Sequence, residues 1–213
     1  MIKKLSTYIL NLLFPKECLG CKKQNTYICA RCGEKLPGPD IDENSSKIMA
    51  AVSYDSLLIK KAIRALKYRK VKQMAEPLAR LIYERLFKTG LVKESPLPRV
   101  LVPAPLSKKS LRKRGFNQAE SIAGFLSDMT GIEVLTNVLY KNRDTVSQVD
   151  LKERGKRLKN LKGAFSVKNP ELIKNKVVFV VDDVSTTGAT INEARRVLLA
   201  AGAGKVTGIV VAR

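Results

Sequence analysis

The residues best equipped for chemistry lie between positions 178 and 190, VFVVDDVSTTGAT. Four apolar residues lead into two adjacent carboxylates, Asp182 and Asp183. A loop of small and hydroxylated residues follows: Val184, Ser185, Thr186, Thr187, Gly188, Ala189 and Thr190. Such a loop opening a helix makes a phosphate cradle. Backbone N–H groups and threonine hydroxyls converge on one anion, and the helix dipole favours it. Gly188 lets the backbone approach closely. Two neighbouring carboxylates would repel each other unless something partners them. A ribose offers two adjacent hydroxyls as donors, so a 5-phosphoribosyl group fits, with phosphate in the threonine loop and sugar on Asp182 and Asp183. The competing reading of the same spacing is a capped strand–helix turn with solvated acids.

A second constellation is Cys18-Leu-Gly-Cys21 followed by Cys29-Ala-Arg-Cys32, which holds all four cysteines of the chain. Two CxxC knuckles at this separation bring four thiolates to tetrahedral Zn²⁺ distances. Gly20 and Gly33 suit the tight turns of knuckles. Two disulfides are the alternative, but no convincing secretory signal precedes them, and a reducing compartment favours metal. Four thiolates fill the coordination sphere, so the zinc would be structural. So short a stretch needs such a staple to fold.

Charge is the third signal. The 213 residues carry 40 Lys and Arg against 19 Asp and Glu, a net +21, with no histidine and no tryptophan. The missing histidine excludes a Ser-His-Asp triad, a Cys-His pair and HExxH hydrolysis. An excess of this size points to polyanionic partners: nucleic acid, acidic lipid or a phosphorylated small molecule. Basic residues are densest at 107–116 (SKKSLRKRGF) and 152–162 (KERGKRLKNLK).

The elements that must position these groups follow from periodicity. Residues 48–54 and 100–102 read as strands. Residues 57–67 and 71–88 read as helices, the second burying Met74, Leu78, Leu81, Ile82 and Leu86. A helix over 118–129 turns Ala119, Ile122, Ala123 and Leu126 inward. Residues 134–140 and 163–167 look extended. Residues 176–181 form a continuous apolar strand of the kind buried on both faces of a parallel sheet. A helix over 189–201 and a strand over 206–212 close the chain. Strands alternating with helices predict an α/β parallel sheet. Before the cysteines, Ile2, Leu5, Ile9, Leu12 and Leu13 recur at helical spacing behind Lys3 and Lys4. This is an amphipathic helix that packs on the body, with a peripheral contact to the inner face of the cytoplasmic membrane as the alternative. Pro37-Gly38-Pro39 and the DIDENSS that follows read as a linker. The expected organisation is a helix and zinc module over 1–40 and an α/β domain over 41–213. No apolar run approaches the ~20 residues that span a bilayer, so a soluble, cytoplasmic protein is expected. The Gly202-Ala203-Gly204-Lys205 run lacks phosphate-loop spacing and ends a helix, so it reads as a turn.

Residues 178–190 resemble the PRPP-binding signature of the type I phosphoribosyltransferases. The whole chain is similar to the ComF family of phosphoribosyltransferase-like competence proteins. Leu13-Phe14-Pro15, the two CxxC knuckles, Val102-Pro103-Ala104-Pro105-Leu106, Arg114-Gly115-Phe116-Asn117-Gln118, Arg143-Asp144-Thr145 with Gln148, Arg157, Asn160, Gly163-Ala164-Phe165 and the DDVSTTGAT segment occur in that family's order. The resemblance implies a type I phosphoribosyltransferase fold with a small N-terminal zinc module. It implies a pyrophosphate loop at Pro103, Ala104, Pro105, Leu106 and Ser107, followed by Arg112, Arg114 and Asn117. It also implies a hood over roughly 142–160, carrying Arg143, Thr145, Gln148, Arg154 and Arg157. PRPP would arrive with Mg²⁺. The implied role is natural transformation, with incoming single-stranded DNA and a helicase-like competence protein as partners. The alternative is an active phosphoribosyltransferase of nucleotide metabolism with no DNA role. No side chain stands out as a general base, so the sequence names no catalytic residue and no acceptor.

Overall fold

The computed structural model describes residues 16–39, 47–91, 96–142 and 163–213. The expected N-terminal helix, most of the linker, and Arg143, Thr145, Gln148, Arg154 and Arg157 of the hood lie outside the described residues.

The apolar run near residue 180 becomes the central strand it predicts. β6 (Val177–Val184) lies between β7 (Lys205–Ala212) and β2 (Arg99–Pro103), and all these pairings are parallel. β1 (Ile48–Val52) adds to β7, and β3 (Glu133–Val134) to β2, giving the order β1-β7-β6-β2-β3. Successive side chains alternate across this sheet. Leu101, Phe179, Val181, Ile209 and Val211 enter one core. Val100, Val102, Val178, Val180, Val206 and Val210 enter the other. Both faces are covered, which is why the strands read as unbroken hydrophobic runs.

The first face is covered by α2 (Leu57–Tyr68), α3 (Ala75–Lys88) and α5 (Gln118–Thr130). Each buries the residues its periodicity predicts: Ile59, Ala62, Ile63 and Leu66 on α2, Leu78, Leu81, Ile82 and Leu86 on α3, and Ala119, Ile122, Ala123 and Leu126 on α5. Met74 closes a single 3-10 turn ahead of α3. The second face is covered by α6 (Ala189–Ala200) and by an antiparallel pair, β4 (Leu139–Lys141) with β5 (Phe165–Val167).

One sequence expectation is corrected, and one element is added. Residues 134–140 are not one extended segment: Val134 ends the sheet edge, and Leu139 begins the separate β4–β5 ribbon. Nothing in the sequence assigns an element to the basic run after Ser107. Lys108–Arg114 forms a short helix, α4, with Ser107 capping the Ser110 N–H at 3.2 Å and Gly115 ending it at φ +79°. Periodicity could not show this helix, because none of its residues is buried.

The cysteine knuckles do not stand apart from the sheet domain. Leu19, Tyr27, Ile28 and Leu36 pack against the core that α2 and α3 build. A Cβ on Gly20 would lie 2.8 Å from Leu58 Cδ1 of α2 and 2.9 Å from Cys32 Sγ. Gly20 is therefore required by close approach. The left-handed position of its turn is Lys22, at φ +64°.

Candidate functional site

The chain after β2 runs through α4 and α5 to β3 on one side of the sheet. The chain after β6 runs through α6 to β7 on the other. Adjacent strands whose connections leave in opposite directions create a crevice beyond their carboxyl ends, which is where open α/β sheets bind ligands. Both loops singled out in the sequence open there: Pro103–Ala104 at the end of β2 and Asp182–Asp183 at the end of β6. The two strands are held in register by Pro103 opposite Val181 and by the Ala104 N–H donating to Val181 O at 2.8 Å.

The threonine loop turns directly into α6. Gly188 is its N-cap at φ +77° and has no side chain with which to cap the helix. A Cβ there would lie 3.1 Å from Asn192 Nδ2 and 3.2 Å from Ile48 Cδ1. Position 188 is thus glycine for two reasons, conformation and space. Thr187 Oγ1 accepts from the Ala189 N–H at 3.3 Å. Ser185 Oγ is buried with no hydrogen-bond partner among the described residues. An orphaned buried hydroxyl in a loop of this shape matches a site whose missing partner is a ligand oxygen. Val184, Thr187 and Thr190 are half-buried, Ser185, Gly188 and Ala189 buried, and Thr186 exposed.

On the β2 side, Ala104 and Ser107 are buried, Pro105 and Leu106 half-buried. Asn117 joins that loop to α5. Its Oδ1 caps the Ala119 N–H at 3.1 Å, and its Nδ2 donates to Ala104 O at 3.1 Å. Arg114 Nη1 donates to Gln118 Oε1 at 2.9 Å. Its positive charge reaches the Asp182 carboxyl and the Lys67 ammonium. Arg112 is exposed on α4. The structure therefore brings the Arg114 charge within reach of the acid pair, ties Asn117 to the loop after β2, and leaves Arg112 on the surface.

The two carboxylates differ. Asp183 is buried, with 5% exposure, and its Oδ1 sits 2.7 Å from Lys67 Nζ of α2. Burial lowers the Lys67 pKa, but the charge and hydrogen bond of Asp183 outweigh it, so the ammonium is held above its ordinary range. Asp182 Oδ1 accepts from the Asp183 N–H at 2.8 Å. Desolvation, then the Asp183 charge, raise the Asp182 pKa to about 7, with Lys67 and Arg114 pulling it down. From the sequence, ribose hydroxyls or solvent were the partners offered to relieve the repulsion within this pair. Lys67 relieves part of it, and nothing in its sequence context marked it: it sits among Lys60, Lys61, Arg64, Arg69 and Lys70 like one more surface lysine.

The four cysteines converge as their spacing predicts. Their Sγ atoms all lie within 4.8 Å of one another, with Cys21 and Cys29 at 3.6 Å. A tetrahedral thiolate site with metal–sulfur bonds of about 2.3 Å puts sulfurs about 3.8 Å apart, so the set fits a bound ion. Burial raises the Cys18 pKa, but backbone N–H groups of Cys29, Cys21 and Gly20 outweigh it and bring the thiol down to about 6. Cys32, hydrogen-bonded to Cys21 and Cys29, is pushed up to about 12. Knuckle backbone donors thus prepare one thiolate before any metal arrives.

Comparison with known proteins agrees with this geometry. Residues 111–213 match the family model of the phosphoribosyl transferase domain. "Competence protein F" of Haemophilus influenzae is 30% identical over 202 residues, covering 89% of this chain and 86% of that protein. The chain belongs to the competence protein F family. Within the wider set, "DNA utilization protein YhgH" of Escherichia coli strain K12 is 29% identical over 178 residues, 84% of this chain and 74% of its own. "Competence protein ComFC" of Streptococcus pneumoniae is 36% identical over 105 residues, 49% of this chain and 44% of its own. The domain match begins inside α4, so it takes in α5, β6, the threonine loop and α6. The cysteine knuckles, α2 with Lys67, α3 and β2 lie ahead of it. No described helix is long and apolar enough to cross a membrane.

Proposed function

We propose that this protein binds PRPP at the crevice between β2 and β6 and serves natural transformation by handling incoming single-stranded DNA. Residues 1–40 would form the metal module and residues 41–213 the phosphoribosyltransferase-like domain. The observation that carries the reading is the junction of β6 with α6. An acid pair, a helix whose N-cap is Gly188, and a buried hydroxyl that has no partner among the described residues stand at the switch point of the sheet. The backbone of Thr186, Thr187, Gly188 and Thr190 would hold the 5-phosphate, and Asp182 and Asp183 the ribose hydroxyls. The loop 103–107 with Arg114 and Asn117 would face the pyrophosphate, whose charge a cation stabilises. Among the described residues, the cysteines are the one group of three or more potential metal ligands. Mg²⁺ would therefore come with the pyrophosphate oxygens, its usual manner of binding. The closed four-thiolate set suits Zn²⁺, in a structural role.

Calorimetric titration of the full chain with PRPP and Mg²⁺ tests the site. Saturable binding is expected. The double variant Asp182→Asn, Asp183→Asn should bind at least about a hundredfold more weakly, because buried partners lose their charge-assisted bonds. Equal binding by variant and wild type would refute the assignment of the acids.

The DNA role rests on the +21 charge and on the names of the relatives. Its signature is salt. Phosphate-driven binding of an oligonucleotide should weaken linearly in log K against log salt, by about 0.7 per neutralised phosphate on a single strand. A flat response would exclude it.

A further inference from the structure

The sugar site contains a residue that lies outside the matched domain. We propose that Lys67 is a positioning residue of this site, its ammonium fixing the Asp183 carboxylate as the acceptor for a ribose hydroxyl. The inference rests on the PRPP reading above and deepens it.

The geometry is specific. Lys67 is on the last turn of α2, and its Nζ meets Asp183 Oδ1 at 2.7 Å, within charge-assisted hydrogen-bond range. The pair is enclosed: the Asp183 side chain is 7% exposed and that of Lys67 20%. Most of the lysines on this surface are solvated, and Lys60 on the same helix meets Asp55 at 3.7 Å with the acid 96% exposed. An enclosed pair costs desolvation of both partners and is weak evidence for stability. Its place at the mouth of the crevice gives it a use. A lone carboxylate beside Asp182 would take up a proton or swing away. Held by Lys67 at 2.7 Å, the Asp183 carboxylate keeps its orientation with a lone pair left for a hydroxyl, since a carboxylate accepts about four hydrogen bonds.

The charged groups that face the acid pair are few among the described residues. They are Lys67 from α2, Arg114 from the end of α4, and the two acids themselves on β6. Removing Lys67 leaves Arg114 as the nearest remaining cation. Asp182, whose carboxyl the Lys67 charge pulls down, then keeps its proton to a higher pH, and the site loses that acceptor on acidification earlier than the wild type does.

The test is titration of the full chain with PRPP and Mg²⁺, and separately with inorganic phosphate, from pH 6 to pH 8.5. Wild type, Lys67→Met and Lys67→Arg are compared, with thermal unfolding as the check on folding. Lys67→Met should bind PRPP about tenfold to a hundredfold more weakly at pH 7.5. The pH at which its PRPP binding falls away should move upward. Lys67→Arg keeps the charge, so it should recover part of the loss and leave the pH midpoint close to wild type. Phosphate, which the threonine loop alone holds, should bind all three alike. If Lys67→Met does not fold, Lys67→Arg still decides, through weaker PRPP binding beside unchanged phosphate binding. A Lys67→Met protein that binds PRPP as well as wild type, with the same pH midpoint, overturns the proposal and leaves the PRPP site standing. Tighter binding overturns it too, since Lys67 would then be occluding the sugar. Equal losses for PRPP and phosphate also overturn it, by showing a general disturbance. A wild type that binds neither ligand removes this proposal together with the site reading.

Discussion

Asp182 shows how one side chain reports on the whole site. Its pKa is raised from the ordinary value to about 7. The folded protein therefore holds this proton more tightly than the unfolded chain does. The resulting contribution to stability is full below about pH 4, the ordinary Asp range, and is lost as pH rises through about 7. Asp182→Asn removes this dependence. Denaturant unfolding at pH 5 and pH 8 should show wild type losing stability relative to Asp182→Asn on going to the higher pH. A constant difference between the two proteins would mean that Asp182 is not desolvated. The acid pair and the threonine loop stood out in the sequence by residue type and spacing, with a capped strand–helix turn as the competing reading. Lys67 did not. Its partner is 116 positions away, and no local pattern distinguishes a lysine that crosses to Asp183 from one that faces water.

At the scale of elements, the deciding piece is the join between β6 and α6. Gly188 is left-handed and hemmed by Asn192 and Ile48. Gly188→Ala adds a Cβ where φ is +77°, at a cost of about 1–2 kcal/mol of backbone strain, and it crowds the side chain at the helix start. The sheet should survive and the loop should shift. Thermal unfolding should show a modest loss, while phosphate and PRPP binding should fall much further. Binding at the wild-type level would show that the loop conformation is not what holds the anion. The long elements were legible because each buries one face: α2, α3 and α5 begin and end within a few residues of their periodic patterns. The short ones were legible in part: β2 and β5 lie where the sequence reads as extended, but α4 and the pairing of β4 with β5 could not be seen. α4 buries nothing, and β4 and β5 are paired across some two dozen intervening residues, which no local window can see.

Among the described residues, α2 joins the cysteine knuckles to the acid pair. Leu58, near the start of that helix, lies against Gly20 and the Cys32 side, and Lys67 at its other end holds Asp183. The sequence, with its Pro-Gly-Pro break, predicted independent modules. Packing of Leu19, Tyr27, Ile28 and Leu36 into the common core argues for one cooperative unit. Cys21→Ser should lower zinc content, lower the unfolding midpoint of the entire chain in a single transition, and weaken PRPP binding as α2 loses its seat. Retention of a full equivalent of zinc would show that the four cysteines are not one site. Loss of zinc with an unchanged midpoint and unchanged PRPP affinity would show that the modules are separate after all.

The central claim is that the crevice between β2 and β6 holds a phosphoribosyl group, and a crystal structure of the full chain soaked with PRPP and Mg²⁺ tests it most directly. The account predicts the 5-phosphate on the backbone of Thr186, Thr187, Gly188 and Thr190, the ribose hydroxyls on Asp182 and Asp183 with Lys67 still bound to Asp183, and the pyrophosphate beside Arg114 and the loop after β2. A crevice without ligand at saturating PRPP, or a ligand seated elsewhere, would contradict it.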